Sequence, residues 1–220
     1  MTPAQPRVDG RTARSERTRN AIVDAQLQLI NSGDLRPTAD RIAKTAGVSL
    51  RALWSHFADM EALFTASGKR VLELRDAAHR PISPELPLPE RVDAYCRQRA
   101  RLLEQIGPTA KAAAIKEPFS ETLRRYRRMH VKRVRDELAT LFAAEIDGND
   151  GLLDALTAVS MWPTWATWRE NMDLSVAAAR SALALTITSL LANATPPAAP
   201  ASGEAAPKAT PRTRPDQAPT

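Results

Sequence analysis

Apolar positions recur at three- and four-residue steps along nearly the whole chain, and no convincing alternating segment interrupts them, so the pattern predicts an all-α protein. From Ser15 to Asn31, Ile22, Ala25, Leu29 and Ile30 share one face, and Ser15 is a possible cap. Ser32-Gly33-Asp34 breaks that helix, and Pro37 fixes the backbone just before Thr38. A helix of about two turns follows, with Thr38 as its cap, Asp40 near its positive dipole end, and Ile42, Ala43 and Ala46 as a narrow apolar stripe. Gly47 ends it, Val48 plugs the corner, and Ser49 caps the next short helix. There Leu53 and Phe57 point inward while Arg51, Ala52 and Ser55 fall on the other side. Asp59 caps a fourth helix through Leu63, Phe64, Val71 and Leu74 to about His79.

The next segment, RPISPELPLPERV, carries prolines at 81, 84, 87 and 89 and marks a domain boundary. Pro89 suits the first turn of a helix reaching about Gln105, Gly107-Pro108 predicts a break, and a short alanine-rich helix follows to about Lys116. From Pro118 to about Ile146 one long helix is expected, with Leu123, Tyr126, His130, Val134, Leu138 and Leu141 on one stripe. Asp147-Gly148-Asn149-Asp150 closes it. Two weakly charged helices complete the pattern, from about Leu152 to Asn171 and from Leu174 to Asn193.

Composition adds a partner class. A chain of 220 residues with 43% apolar and 25% charged residues has ample material for a core. A net charge of +6 favours a polyanionic partner. Residues 1–14 are expected to form a disordered basic arm, either reaching DNA through Arg7, Arg11 and Arg14, with Arg17 and Arg19 at the start of the first helix, or acting as a solvated tail. Residues 195–220, rich in Pro and Ala, are expected to be a disordered tail. Between residues 97 and 135, twelve Lys or Arg stand against three Glu. That run reads as a solvated helix face, a site for an anionic effector, or a second contact with DNA phosphates. The single Cys96 excludes an internal disulfide, and no apolar run is long enough for a membrane span or a secretory leader, so a cytoplasmic protein without membrane contact is expected.

The two short helices between Thr38 and Phe57 have the spacing of a helix-turn-helix, whose second helix enters the major groove. The residues PTADRIAKTAGVS, LRALWSHF and ADMEALF resemble the tetracycline-repressor (TetR) family over about residues 15–66. Trp54 stands where that family usually has Tyr, and Met60 where it often has a phosphate-binding Lys, which leaves open whether a phosphate contact is made at Met60. The resemblance implies a helix-turn-helix DNA-binding domain over residues 15–66, joined by its fourth helix to a helical effector-binding and dimerisation domain over residues 80–194. It implies a homodimer on a palindromic operator in double-stranded DNA, most often a repressor released by a small molecule. Arg51 is then the candidate base contact, with Leu50 and Ala52 beside it, and Thr38, Ser49, Trp54, Ser55 and His56 are candidates for phosphate. By periodicity alone, Leu50 could be core and His56 a core histidine.

In the second domain, Trp162, Trp165 and Trp168 follow at steps of three and read either as core and interface packing or as walls of an effector pocket. Phe119, Tyr126, Met129, Trp162 and Trp165 are the pocket candidates, and Pro163 a possible bend that opens it. Small residues along the last helix suit close approach of a partner helix, and Leu156, Val159, Leu183, Ile187 and Leu190 are the interface candidates. No catalytic residues, metal ligands or cofactor motif are visible. His56, His79 and His130 are scattered, no phosphate-binding glycine loop occurs, and Cys96 lacks an activating partner, so an enzyme is not expected. The alternative is a ligand-binding or interaction protein with only non-specific DNA affinity.

Overall fold

The computed structural model describes residues 10–193, which contain ten α-helices and no strand. The expectations for residues 1–9 and 194–220 lie outside the described residues. Helix α1 spans Gly10–Asn31 and so begins ahead of Ser15. No breaker separates Gly10 from Ser15, and Arg and Ala there are good helix formers, so the helix propagates back through the part of the basic arm that is described. It ends where Gly33 takes a left-handed backbone (φ 98°), its N–H donating to Ile30 O and that of Asp34 to Leu29 O.

Helices α2 (Ala39–Ala46) and α3 (Leu50–His56) lean against α1, and α4 (Met60–Ala78) closes the unit. Ile22, Leu27, Ile42, Leu53, Phe57 and Leu63 are buried in one small core, with Met60 and Val48 at its edge. Each such large side chain contributes about 1.5–3 kcal/mol by leaving water. The opposite side of α4 begins a second contact, where Phe64 is buried with Ile30 of α1 and Ala112 of the next helix.

Helix α5 runs unbroken from Leu88 to Lys116, 29 residues, with Pro108 inside it. The expected break at Gly107-Pro108 does not occur. An interior proline costs about 3 kcal/mol, but α5 buries Ala100 and Leu103 before it and Ala112 after it, against different neighbours, and that packing holds both halves in line. A Cβ at Gly107 would meet Trp162 Nε1 at 3.5 Å, an ordinary contact, so packing alone does not demand glycine there.

The long helix expected over residues 118–146 divides into a 3-10 turn (Glu117–Phe119), α6 (Glu121–Leu141) capped by Ser120, and the short α7 (Ala143–Ile146). The helix expected over residues 152–171 likewise divides into α8 (Asp150–Val159), α9 (Trp162–Ala166) and a π turn (Thr167–Asn171). Pro163 lies in the first turn of α9 and so starts a helix instead of bending one. Helix α10 (Val176–Ala192), capped by Ser175, completes the fold. No described helix is long and apolar enough to cross a membrane.

The main core of the second half joins Val92, Tyr95, Val134, Leu138, Phe142, Leu156, Leu183 and Ile187. This corrects the interface expectation for Leu156, Leu183 and Ile187. Leu156, Leu183 and Ile187 are fully buried inside the protomer, and Val159 and Leu190 pack along the edge of the same core. The physical reason is the direction of the α10 stripe: Ala179, Leu183, Ile187 and Leu191 face α5 and α8, whereas Ala178, Ser181, Leu185, Ser189 and Ala192 face outward. Leu183→Ala is therefore expected to destabilise the folded protomer by about 2–5 kcal/mol in urea unfolding. A loss below about 0.5 kcal/mol would contradict a core position.

Candidate DNA-reading interface and the adjoining cavity

The reading head is built by its caps. Thr38 accepts a hydrogen bond from Arg41 N–H at 3.4 Å, and Ser49 accepts one from Ala52 N–H at 3.1 Å. Both side chains act as acceptors, so their hydroxyl protons remain available to phosphate oxygens. Between them Gly47 has φ 67°, and the N–H groups of Gly47 and Val48 donate to Lys44 O and Ala43 O. A side chain there would strain the corner that sets the angle between α2 and α3.

Helix α3 buries Leu53 and presents its other side to solvent. Leu50 is 39% and Trp54 40% exposed, which settles Leu50 as a surface residue. Arg51 and Ser55 are exposed, and Ala52 and His56 half-buried. The Ser55 hydroxyl already donates to Ala52 O at 2.7 Å, leaving only acceptor lone pairs outward. Phe57 anchors the end of α3, with the Arg19 guanidinium 4.7 Å from its ring centroid. The side chain of Met60 is half-buried against the head core, so this departure from the family pattern serves packing.

Several contacts tie α4 to its surroundings, three of them near the head. Ser67 Oγ donates to Gln26 Oε1 of α1 at 2.5 Å in a buried position. Ser120, the cap of α6, donates to Glu61 Oε1 at 2.6 Å while accepting from Leu123 N–H. The Lys116 ammonium lies 4.9 Å from the Phe64 ring centroid.

Beside α4 lies a cavity of about 150 Å³, walled mainly by Phe64, Val71, Leu72, Ile106, Tyr126 and Trp162. Its polar lining includes Arg75, Arg127, His130 and Glu117. Arg127 is satisfied by Glu117 Oε2, at 2.9 and 3.2 Å. Arg75 Nη1 lies 3.4 Å from His130 Nδ1, and because a guanidinium only donates, Nδ1 accepts and the ring proton sits on Nε2. Burial, then the positive charges of Arg99 and Arg75, push the His130 imidazole down to about 3, so it is neutral at pH 7. Burial and the neighbouring Arg99 also lower Arg75 from its ordinary value.

Of the expected pocket residues, Tyr126 and Trp162 line this cavity together. Trp165 is instead packed in a core, its Nε1–H donating to Glu104 Oε1 at 2.7 Å and its ring edge-on to Trp168. Phe119 is 90% and Met129 58% exposed, and neither lines it. Arg75 and His130 of this lining, and Arg99 of the neighbouring cavity, are not among the expected pocket residues, although each stands on an apolar stripe: Arg99 between Cys96 and Leu103, His130 between Tyr126 and Val134, Arg75 after Val71. A cation on a buried stripe is the signal that could have found the two arginines.

The basic run resolves largely into an ion-paired helix face. Arg124 and Arg128 pair with Glu121, Lys132 with Asp136, Arg133 with Asp76, and Arg135 with Asp150 and Asp154. Cys96 is buried, and burial pushes its thiol up to about 12, which removes it as a nucleophile.

No protein-family profile matches the chain. Over 149 residues it is 32% identical to the HTH-type transcriptional regulator BetI of Rhizobium meliloti (strain 1021), spanning 65% of this chain and 73% of that protein. Its fold is shared with the multidrug binding protein EbrR complexed with imidazole (TM-score 0.62, 21% identity, covering 84% of this chain and 97% of that one). It is shared equally with a TetR transcription regulator from Haloarcula marismortui (TM-score 0.61, 18% identity, 80% and 98% covered). With the helix-turn-helix, the connecting α4 and the helical second domain in place, and with a relative at that identity over most of its length, the chain belongs to the TetR family of DNA-binding transcriptional regulators and is not an enzyme.

Proposed function

We propose that this regulator is a cytoplasmic homodimeric repressor that reads a palindromic operator and is released when a small molecule enters the cavity beside α4. One observation carries the reading: the helix that walls the cavity with Phe64, Val71, Leu72 and Arg75 also closes the head core with Leu63. A ligand that displaces α4 therefore displaces α3. In a two-fold dimer the two α3 helices must meet successive major grooves roughly 34–36 Å apart, so a small change in head separation opposes simultaneous docking. The structural relative complexed with imidazole supports a small-molecule site on this fold.

On this reading Arg51 contacts a base edge, with exposed Leu50 and half-buried Ala52 beside it for apolar contact, while Thr38, Ser49, Trp54 and His56 approach phosphates, and Ser55 does so only by turning its hydroxyl away from Ala52 O. The outward face of α10, with Ala178, Ser181, Leu185 and Ser189, carries no charge at these positions and only one large side chain, and it joins the two subunits with the outward face of α8.

Selection of bound duplexes from a random pool at near-physiological salt is expected to enrich a palindrome. Equal, salt-sensitive binding to enriched and scrambled duplexes would instead support a protein with only non-specific DNA affinity. Arg51→Ala is expected to weaken operator binding by about 1–3 kcal/mol and relax one position of the site, with the dimer intact. Unchanged selectivity across variant duplexes would rule out that role. Leu185→Glu is expected to give monomers in sedimentation and to abolish tight operator binding, because it buries an unpaired charge at the proposed interface. A dimer of unchanged affinity would move the interface elsewhere.

A further inference from the structure

Arg75 and His130 give the cavity a charged end, and Arg99, close enough to depress both, lines a neighbouring cavity. Arg99 of α5 is 2% exposed; its Nε donates to Ser160 O at 2.6 Å, and neither terminal nitrogen has a hydrogen-bond partner among the described residues. Arg75 of α4, also buried, makes only long contacts, 3.4 Å to His130 Nδ1 and 3.5 Å to Glu137. His130 Nε2, which carries the ring proton, is buried and without a partner among the described residues as well. That neighbouring cavity, of about 250 Å³, shares Arg75 with the first as a lining residue, and its lining sets Arg75, Arg80, Arg99 and Arg101 against one carboxylate, Glu137. The other nearby acids are engaged elsewhere, Asp76 with Arg133 and Glu117 with Arg127. Two buried guanidiniums thus face one acid, which leaves one positive charge and several donors unsatisfied.

We infer that the molecule received here is an amphipathic organic anion, its carboxylate-type group held between Arg75 and Arg99 and its apolar body against Phe64, Tyr126 and Trp162. The inference rests on the proposed reading of this cavity as the effector site and adds the chemistry of its ligand. Buried charges and donors are costly unless paired. A carboxylate accepts from several N–H groups at once and matches the planar guanidinium. A cation would meet an excess of like charge, since Glu137 offsets only one of the two guanidiniums, and a neutral ligand would leave the donors unpaired.

The test uses the full chain and three probes of one chain length: decanoate, 1-decanol and decyltrimethylammonium. Each is titrated against the tryptophan fluorescence of the protein, since Trp162 lines the wall, and against operator release. Decanoate is expected to bind about tenfold or more tighter than either analogue, as a charge-assisted hydrogen-bonded group should. Arg99→Met is expected to reduce decanoate to the affinity of the alcohol while leaving the alcohol unchanged, and Arg75→Met provides the same comparison if the first variant does not fold. Equal or tighter binding of the alcohol or the ammonium, or decanoate affinity indifferent to either substitution, would overturn the anionic assignment and leave the cavity as an effector site. Preferential decanoate binding without operator release would uphold the anion site and overturn its role as effector site. Binding by none of the three would overturn both.

Discussion

Helix α4 belongs to two packed regions at once, and this shared membership constrains the rest of the molecule. Leu63 is buried in the head core, while Phe64, the next residue, is buried with Ile30 and Ala112 on the other side. The Ser67–Gln26 hydrogen bond fixes the rotation of α4 against α1, because a slip would leave both polar groups buried and unpaired. Farther along, Gly68, Val71, Leu72 and Arg75 form cavity wall. At a rise of 1.5 Å per residue, one continuous helix spans the roughly 22 Å from Arg75 to Met60, so the cavity wall and the head share a single element. The head has no core of its own that excludes α4, so it follows.

The head is otherwise a product of local rules. Its turns are made by residues whose side chains or backbones answer the unpaired groups at helix ends: Thr38, Ser49 and Asp59 as caps, Gly33 and Gly47 as left-handed terminators. These devices act within a few residues and help α2 and α3 to form despite their shortness. The second domain depends on contacts distant in sequence. The Arg91 guanidinium, for example, donates to Leu86 O, Leu141 O and Glu145, tying the proline-rich connection and the end of α6 to α5. Glu145 is correspondingly held below the usual carboxylate range by Arg91.

That contrast explains what is legible in the sequence. Helix ends marked by a cap or a left-handed glycine can be read at Thr38, Gly47, Ser49 and Asp59, since the cause of each lies beside it. Pro108 misleads because the packing that keeps α5 intact comes from residues of α1, α9 and α10. Leu183 and Ile187 suggest a subunit interface because an apolar stripe shows that a face is covered and not by what; α5 and α8 of the same chain cover it. Tyr126 and Trp162 stand out as large aromatics, whereas the guanidiniums between the helices are hidden because arginine is so seldom fully buried.

Those guanidiniums give the cavity a defined direction of response on the proposed reading. Arg75 stands on α4 and Arg99 on α5, and each lowers the tendency of buried cations in this cluster to stay charged. Between two like charges in a poorly solvated space the force is repulsive, and Glu137 offsets it only in part, so on this reading closure of the two helices at this level is opposed without an anion, while Phe64 and Ala112 hold them together nearer the head. An anion between the two arginines reverses the sign of that force. A ligand shifts an equilibrium only through its differential affinity for the two arrangements, and here the difference is built in, since the group that binds the anion changes from repulsion to attraction across the α4–α5 boundary. A coupling of about 2–3 kcal/mol, roughly 30- to 150-fold in affinity, lies within the reach of one charged contact of this kind. The Phe64 contact then acts as a pivot: closure at Arg75 turns the Met60 end of α4 the other way, and α3 moves with it.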